Sequence, residues 1–365
     1  MELTFSKLQH HRKILCLLAA CNAGALAVAV NLVIGLNPED KISIKRGSML
    51  TALGLVYFVT LFELFNVAAL FTGAGARLRH KYRLSCGEVL DISNKLVSAI
   101  QAGFSCATGA IVCAWSCTRD LMKSSHFMSE AYAWFGAAYF FYDIWSMYMV
   151  YVHMTTNVDY FKSRFRRTKT ETLSSGDSTT NKRPSFFTYC RHEPVILMHH
   201  IFIGGFGFLV IVYLRGGLGD CVFSFIYLME ASTPCVSLRG VLARLRLKQS
   251  KAYKINGLLM LISFAFCRVL SLPYVCLMYA RAQSMDYWQA IKSLPTGCKI
   301  SICILLLPQF YWFYLMSVGA VKVFMGKTSE GKKKLEDKKN ITKTEKNHQN
   351  DLITEFSAGD MEKRS

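Results

Sequence analysis

Pro194-Val195-Ile196-Leu197-Met198-His199-His200-Ile201-Phe202-Ile203-Gly204-Gly205-Phe206-Gly207-Phe208-Leu209-Val210-Ile211-Val212-Tyr213-Leu214 is the stretch that decides the fold. It is apolar throughout, except for two adjacent histidines near its start. About 20 consecutive apolar residues let a helix cross a bilayer. An ionisable side chain in the middle of such a helix costs about 2.5–3.5 kcal/mol on insertion scales, so it belongs in a protein interior or a wet site. Other apolar runs carry Glu63, Asp143, Glu230 and Arg268 near their middles. The pattern predicts one buried polar site among membrane helices.

The rest of the chain agrees. Of its 365 residues 52% are hydrophobic, and the mean hydropathy of +0.26 is unlike that of a soluble domain. Eight apolar runs are long enough to span, at roughly 14–36, 49–72, 95–117, 130–155, 194–214, 218–240, 255–281 and 298–322. They are too long, and too free of alternation, for the strands of a β-barrel. The fold class expected is therefore all-α, a polytopic helical membrane protein with about eight transmembrane helices. The first run is too long for a signal-peptide core. Asn37-Pro38-Glu39-Asp40 follows it in place of a small-residue cleavage site, so it reads as an uncleaved signal anchor.

The net charge of +19 is distributed loop by loop. Basic residues crowd the second connection (Arg77, Arg79, Lys81, Arg83), the fourth (Lys162 to Arg191), the sixth (Arg239 to Lys254) and the C-terminal tail. The third connection has only Arg119 and Lys123, and the fifth only Arg215. The positive-inside rule reads this as both termini in the cytosol, so the charge reports topology and not nucleic-acid binding. The 13 cysteines contain no CxxC and no zinc-module spacing, and most lie inside spans, so no disulfide framework is expected. Thr168 to Asp177 reads as a mobile Ser/Thr-rich loop, and the chain from about Lys327 as a disordered Lys-rich tail.

Counting ~1.5 Å per helical residue puts His199 roughly 8 Å from the cytosolic end of its span, Glu63 and Glu230 roughly 14 Å, Asp143 roughly 18 Å and Arg268 roughly 20 Å. All five fall in the cytosolic half. Gly136, Tyr139, Asp143 and Ser146 share an arc of about 80° on their helix and should face inward. Pro234 denies the Glu230 carbonyl its helical partner, leaving it free for Ser232 and Thr233 to satisfy in part. Gly204, Gly205 and Gly207 should allow close helix packing just beyond the histidines. A neutral imidazole steered by Asp143 or Glu230 suits general-base work or transient acyl transfer. The alternative is that these residues only hydrogen-bond between helices. The histidines lack the HxxxH and HxxHH clusters of membrane di-iron enzymes, so no metal is expected.

Several segments resemble the TLC-domain membrane proteins, which include the ceramide synthases, and most of all the short ceramide-synthase-like members. They are Lys95 to Ala102, Tyr139 to Tyr148, His199-His200, Leu214 to Asp220, Met229 to Leu238, Tyr253 to Gly257, Cys267-Arg268 and Pro308 to Phe313. The resemblance implies three regions: an N-terminal extension with two helices (1–90), a TLC domain of six helices around a lipid-accessible cavity (91–324) and the tail (325–365). It implies ceramide synthesis by N-acylation of a sphingoid base, with acyl-CoA as co-substrate, no bound cofactor and an endoplasmic-reticulum or Golgi setting. His199, His200, Asp143 and Glu230 are then the candidate catalytic residues, and Tyr139, Ser146, Gln101 and Arg268 the candidate substrate-binding residues. Expected partners are membrane lipids, with homo-oligomers or association with other TLC proteins left open. The chain departs from its relatives in two places. Glu230-Ala231-Ser232-Thr233-Pro234 stands where ceramide synthases carry a His-Asp motif, and Gln101, which cannot take a proton, stands where close relatives tend to have His. The two extra helices read as an added anchor or a lateral gate. A non-catalytic lipid-binding protein that regulates membrane composition or a ceramide synthase is the alternative function, and a carrier is a third.

Overall fold

The computed structural model describes residues 2–156 and 184–322, with side chains from residue 10 onward, and among these every regular element is helical. The chain divides into two compact units, Met1–Gln309 and Phe310–Ser365, and all the site residues belong to the first. The long N-terminal helices are α1 (Glu2–Asn31), α2 (Ile44–Phe71), α4 (Cys86–Ser116) and α5 (Phe127–Thr156), with α3 (Gly73–Tyr82) in the second connection. Then follow the short α6 (Phe186–His192) and the long α7 (Pro194–Leu214), α8 (Asp220–Arg244) and α9 (Lys251–Ala282). The short α10 (Tyr287–Ser293) leads to α11 (Thr296–Lys322). The Ser/Thr-rich loop and the Lys-rich tail lie outside the described residues.

Seven helices are long and apolar enough to cross a membrane, one fewer than expected. The difference is the expected span 130–155. It exists as the continuous helix α5, which is not among the seven. Its Tyr139, Tyr142, Asp143 and Ser146 are all buried.

Polar groups at both ends fix how the helices pair. At its N-terminus α4 opens with a capping box, Ser85 and Glu88 exchanging hydrogen bonds, which satisfies two otherwise orphaned amides. Glu88 also pairs with Arg246 at 2.7 Å. Asp91 one turn on holds Arg244 at 2.6 Å and Lys95 at 2.8 Å. The C-terminus of α8 is thereby tied to the start of α4. At the opposite end a disulfide joins Cys117 to Cys221, so the expectation of no disulfide is corrected. Its two cysteines lie 104 residues apart, and no local spacing announces such a pair. Beside it the buried Arg215 and Asp220 form an ion pair, and Asp220 Oδ2 accepts from the His126 amide at 2.6 Å. Glu130 accepts from the Ile42 amide at 3.1 Å. The first, third and fifth connections therefore meet on one side, as the alternation of charge requires. Between the two ends the helices run close. A Cβ on Gly109 of α4 would lie 2.8 Å from the Ser224 carbonyl of α8.

The two N-terminal helices lie against this core. Asn22 of α1 donates to the Tyr57 carbonyl at 2.8 Å. Phe58 and Phe62 of α2 are fully buried and meet the Tyr139 and Tyr142 rings of α5 at 5.4 and 5.7 Å. Arg79 of α3 donates to the Ala69 and Leu70 carbonyls that end α2, a favourable place for a cation. α2 thus backs the helix that carries Asp143.

Of the three glycines after the histidines, only Gly204 serves a close approach. A Cβ there would sit 2.7 Å from Phe140, whereas Gly205 faces open space and Gly207 meets only its own segment's Phe202 carbonyl, at 3.9 Å.

Candidate functional site

The helical backbone departs from α geometry where the ionisable residues sit. α7 is regular through Ile201 and then widens into π turns at Phe202–Gly207 and Val210–Leu214, directly after the histidines. α8 tightens into a 3₁₀ turn at Met229–Ser232 around Glu230. α9 widens at Ala265–Leu270 around Arg268. Such single-turn interruptions are often found at functional sites. In α8 the tightening answers Pro234. The Glu230 carbonyl freed by Pro234 is taken, as expected, by Thr233, whose amide reaches it through an i+3 bond.

Two pairs result, one buried and one in which the Glu230 side chain is 28% exposed. His200 Nδ1 lies 3.2 Å from Asp143 Oδ2, with side-chain exposures of 13% and 4%. The contact has ion-pair length without hydrogen-bond alignment, and Asp143 Oδ1 has no hydrogen-bond partner among the described residues. Phe140 meets the His200 ring edge-on at 5.8 Å. The second pair is Arg268 with Glu230, at 2.9 Å. Arg268 also donates to Ser232 Oγ at 2.9 Å, Thr233 Oγ1 at 2.7 Å and Gln309 Oε1 at 3.4 Å. Thr233 in turn donates to Glu230 Oε2 at 2.5 Å. This charge pair is internally satisfied, as a buried pair must be to persist.

The expected site residues therefore fall into groups. His200 and Asp143 come together, and Glu230 is held by Arg268. His199 is half-buried, its ring 5.9 Å from that of His200, and it feels the charges of both Arg268 and Glu230. Tyr139, Ser146 and Gln101 are engaged by α4 and α5 themselves. The Tyr139 hydroxyl donates to Ser98 Oγ at 2.9 Å. Ser146 donates to Asn94 Oδ1 at 2.8 Å, and Gln101 Nε2 donates to the Tyr132 hydroxyl at 2.9 Å. Asn94 Oδ1 also accepts from the Tyr142 hydroxyl at 2.9 Å.

Sequence reading missed Asn94, Ser98, Tyr132 and Gln309. The signal for the first two was present: Asn94, Ser98, Gln101, Ser105 and Thr108 recur at helical spacing on one face of α4. Gln309 is a lone amide in an apolar run. Residues 162–169 lie outside the described region, and in the sixth connection Arg244 and Arg246 are held by Asp91 and Glu88. Among the described residues no three His, Cys, Asp or Glu side chains converge to hold a metal ion.

Set beside known families, the TLC domain matches residues 91–318 of this chain. No solved structure matches it.

Proposed function

The chain belongs to the TLC-domain family of membrane proteins, and from that premise we propose that it is a bilayer acyltransferase that moves an acyl chain from acyl-CoA to the amine of a sphingoid base. The observation that carries this reading is the His200–Asp143 pair, a buried imidazole beside a buried carboxylate in a helix bundle whose family is concerned with membrane lipids. Asp143 at Nδ1 favours the tautomer protonated there and leaves the Nε2 lone pair to act as base. The neutral amine attacks the thioester carbon and forms the C–N bond. His200 Nε2 takes the amine proton, the C–S bond breaks, and the departing thiolate recovers that proton from the imidazolium. The products are an amide and free CoA. His199, the second imidazole, lies beside that of His200, ring centroids 5.9 Å apart. Glu230 and Arg268 form the fixed polar floor.

The disulfide supports the orientation this chemistry needs. Disulfides persist in oxidising compartments, so the end bearing Cys117–Cys221 faces the lumen of the secretory pathway. The opposite end carries the basic connections and the start of α7 with its histidines, so it faces the cytosol, where acyl-CoA is found. Both termini then lie in the cytosol, and the endoplasmic reticulum is the membrane of choice.

The test uses membranes of cells without their own ceramide synthases, supplied with a labelled sphingoid base and a panel of acyl-CoAs. Amide formation by wild type, lost in His199→Ala/His200→Ala at matched folded protein, is expected. No product from either protein would refute the reading. A second reading, a lipid-binding regulator without turnover, has one observation in its favour: Tyr139, Ser146, Gln101 and Glu230 are all engaged within the protein. Lipid co-purification without product is its signature.

A further inference from the structure

At the end of α8 away from the disulfide, one arginine stands outside the ion pairs. Arg244 and Arg246 are held by Asp91 and Glu88, and Lys95 is held by Asp91. Arg239 is half-buried, yet it has no carboxylate or carbonyl partner among the described residues. Its position is fixed all the same. The guanidinium carbon lies 4.6 Å from the centre of the Tyr253 ring on α9. A Cβ on Gly257, one turn further along α9, would meet Arg239 Nη1 at 2.5 Å, so this glycine opens the notch that receives the guanidinium. Stacking on a ring uses the face of the guanidinium and leaves its in-plane N–H donors free for a bidentate acceptor.

Depth and surroundings say what that acceptor is. With 25 residues, α8 is about 37 Å long against about 30 Å of hydrocarbon. Arg239 comes five residues before the terminal Arg244, so it lies roughly 4 Å inside the hydrocarbon edge, within reach of the phosphate layer. Lys254, one turn before Gly257 on the same side of α9, adds a second positive charge. The neighbouring Leu238, Ile255 and Leu258 are exposed and offer an apolar wall to acyl chains. We propose that the junction of α8 and α9 binds the headgroup phosphate of an anionic phospholipid of the cytosolic leaflet, gripped bidentately by Arg239. Basic pockets between membrane helices on the cytosolic side bind acidic headgroups, and that leaflet carries the anionic lipids. A lipid seated there braces α8, which carries Glu230, against α9, which carries Arg268. The inference uses the orientation of the bundle and does not depend on acyl transfer.

Native mass spectrometry tests it, on full-length protein released from nanodiscs of phosphatidylserine and phosphatidylcholine with the same acyl chains. Wild type is expected to retain phosphatidylserine in preference to phosphatidylcholine. In Arg239→Gln that retention should fall at least about tenfold, the least that one charge-assisted hydrogen bond supplies. Gly257→Ala, which pushes the guanidinium from its notch without changing charge, should weaken it too. Lys248→Gln removes the same charge from an exposed position and should keep it. In phosphatidylcholine alone, Arg239→Gln should melt with wild type. Equal phosphatidylserine retention in wild type and Arg239→Gln, an equal loss in Lys248→Gln, or no preference over phosphatidylcholine would overturn the inference. So would a lower melting temperature of Arg239→Gln in phosphatidylcholine, which would make the arginine structural. Free CoA, a phosphate ester without an acyl chain, should leave the bound lipid in place; displacement would assign the site to soluble phosphate esters and overturn the lipid assignment. Turnover plays no part in these readouts, so failure of the acyl-transfer reading is seen separately.

Discussion

Replacing Arg268 with Met removes the cation from a buried network and leaves Glu230 beside Thr233 with no counter-charge. Arg268 makes four hydrogen bonds there, to Glu230, Thr233, Ser232 and Gln309, and is itself 8% exposed. Breaking a buried pair by removing one partner costs about 3–5 kcal/mol, whereas replacing both with neutral residues of similar volume is often close to neutral. With the Glu230 side chain 28% exposed the low end of that cost applies, so at about 2–4 °C per kcal/mol Arg268→Met should lower the melting temperature by roughly 6–12 °C. The double variant Glu230→Gln/Arg268→Met should recover most of that loss, because no charge is then left stranded. The assay is thermal unfolding in nanodiscs, read as the fraction remaining monomeric on size exclusion, for wild type, both single variants and the double. A drop under ~2 °C for Arg268→Met, or a double variant as unstable as the two singles summed, would refute the idea of a self-contained pair.

Three further outcomes follow from the same geometry. His126 Nδ1 accepts from the Met128 amide at the start of α5, and burial lowers its pKa below the ordinary 6.5 despite the nearby Asp220. The unfolded chain therefore binds this proton first, and stability should fall as pH drops below about 6.5. Melting temperatures from pH 8 to 5 should show the fall, and His126→Asn should flatten it. Gly204→Val drives its side chain into Phe140 next to His200 and should cost about 1–3 kcal/mol with loss of turnover, while Gly205→Ala, facing open space, should change stability by no more than about 0.5 kcal/mol. Cys117→Ser/Cys221→Ser should lower stability by about 2–4 kcal/mol. Mass mapping of unreduced wild-type protein should show that linkage, and its absence under oxidising conditions would contradict the assigned lumenal face.

Much of the bundle was legible because hydrocarbon forces simple rules on a chain. Apolar runs of spanning length marked the helices, and the inward stripe on α5 was read correctly from the spacing of Tyr139, Asp143 and Ser146. Counting depth placed Asp143 and His199 in the same half of the bilayer, and the structure sets Asp143 beside His200. The partners were harder to assign. Glu230 and Arg268 were both singled out, yet nothing in one dimension said that they pair with each other and leave Asp143 for the histidine. That choice depends on where α8 and α9 cross, and it is sharpened by the 3₁₀ turn at Pro234 and the π turn at Arg268. The Cys117–Cys221 link is a product of tertiary packing alone. The fourth run folds as the helix α5 but is not among the seven helices apolar enough to span, and its Tyr139 and Tyr142 face α2 and α4.

Turnover of purified full-length protein in nanodiscs tests most directly whether His200 acts as the base with Asp143 fixing its tautomer while Glu230 only supports. The variants compared would be His200→Ala, Asp143→Asn and Glu230→Gln/Arg268→Met, each at its own folded concentration. A positioned general base is worth about 10²–10⁴-fold, so the account predicts losses of that order for His200→Ala and Asp143→Asn. The double variant should keep its rate within about tenfold. Equal rates for His200→Ala, Asp143→Asn and wild type, or a double variant as inactive as His200→Ala, would contradict it.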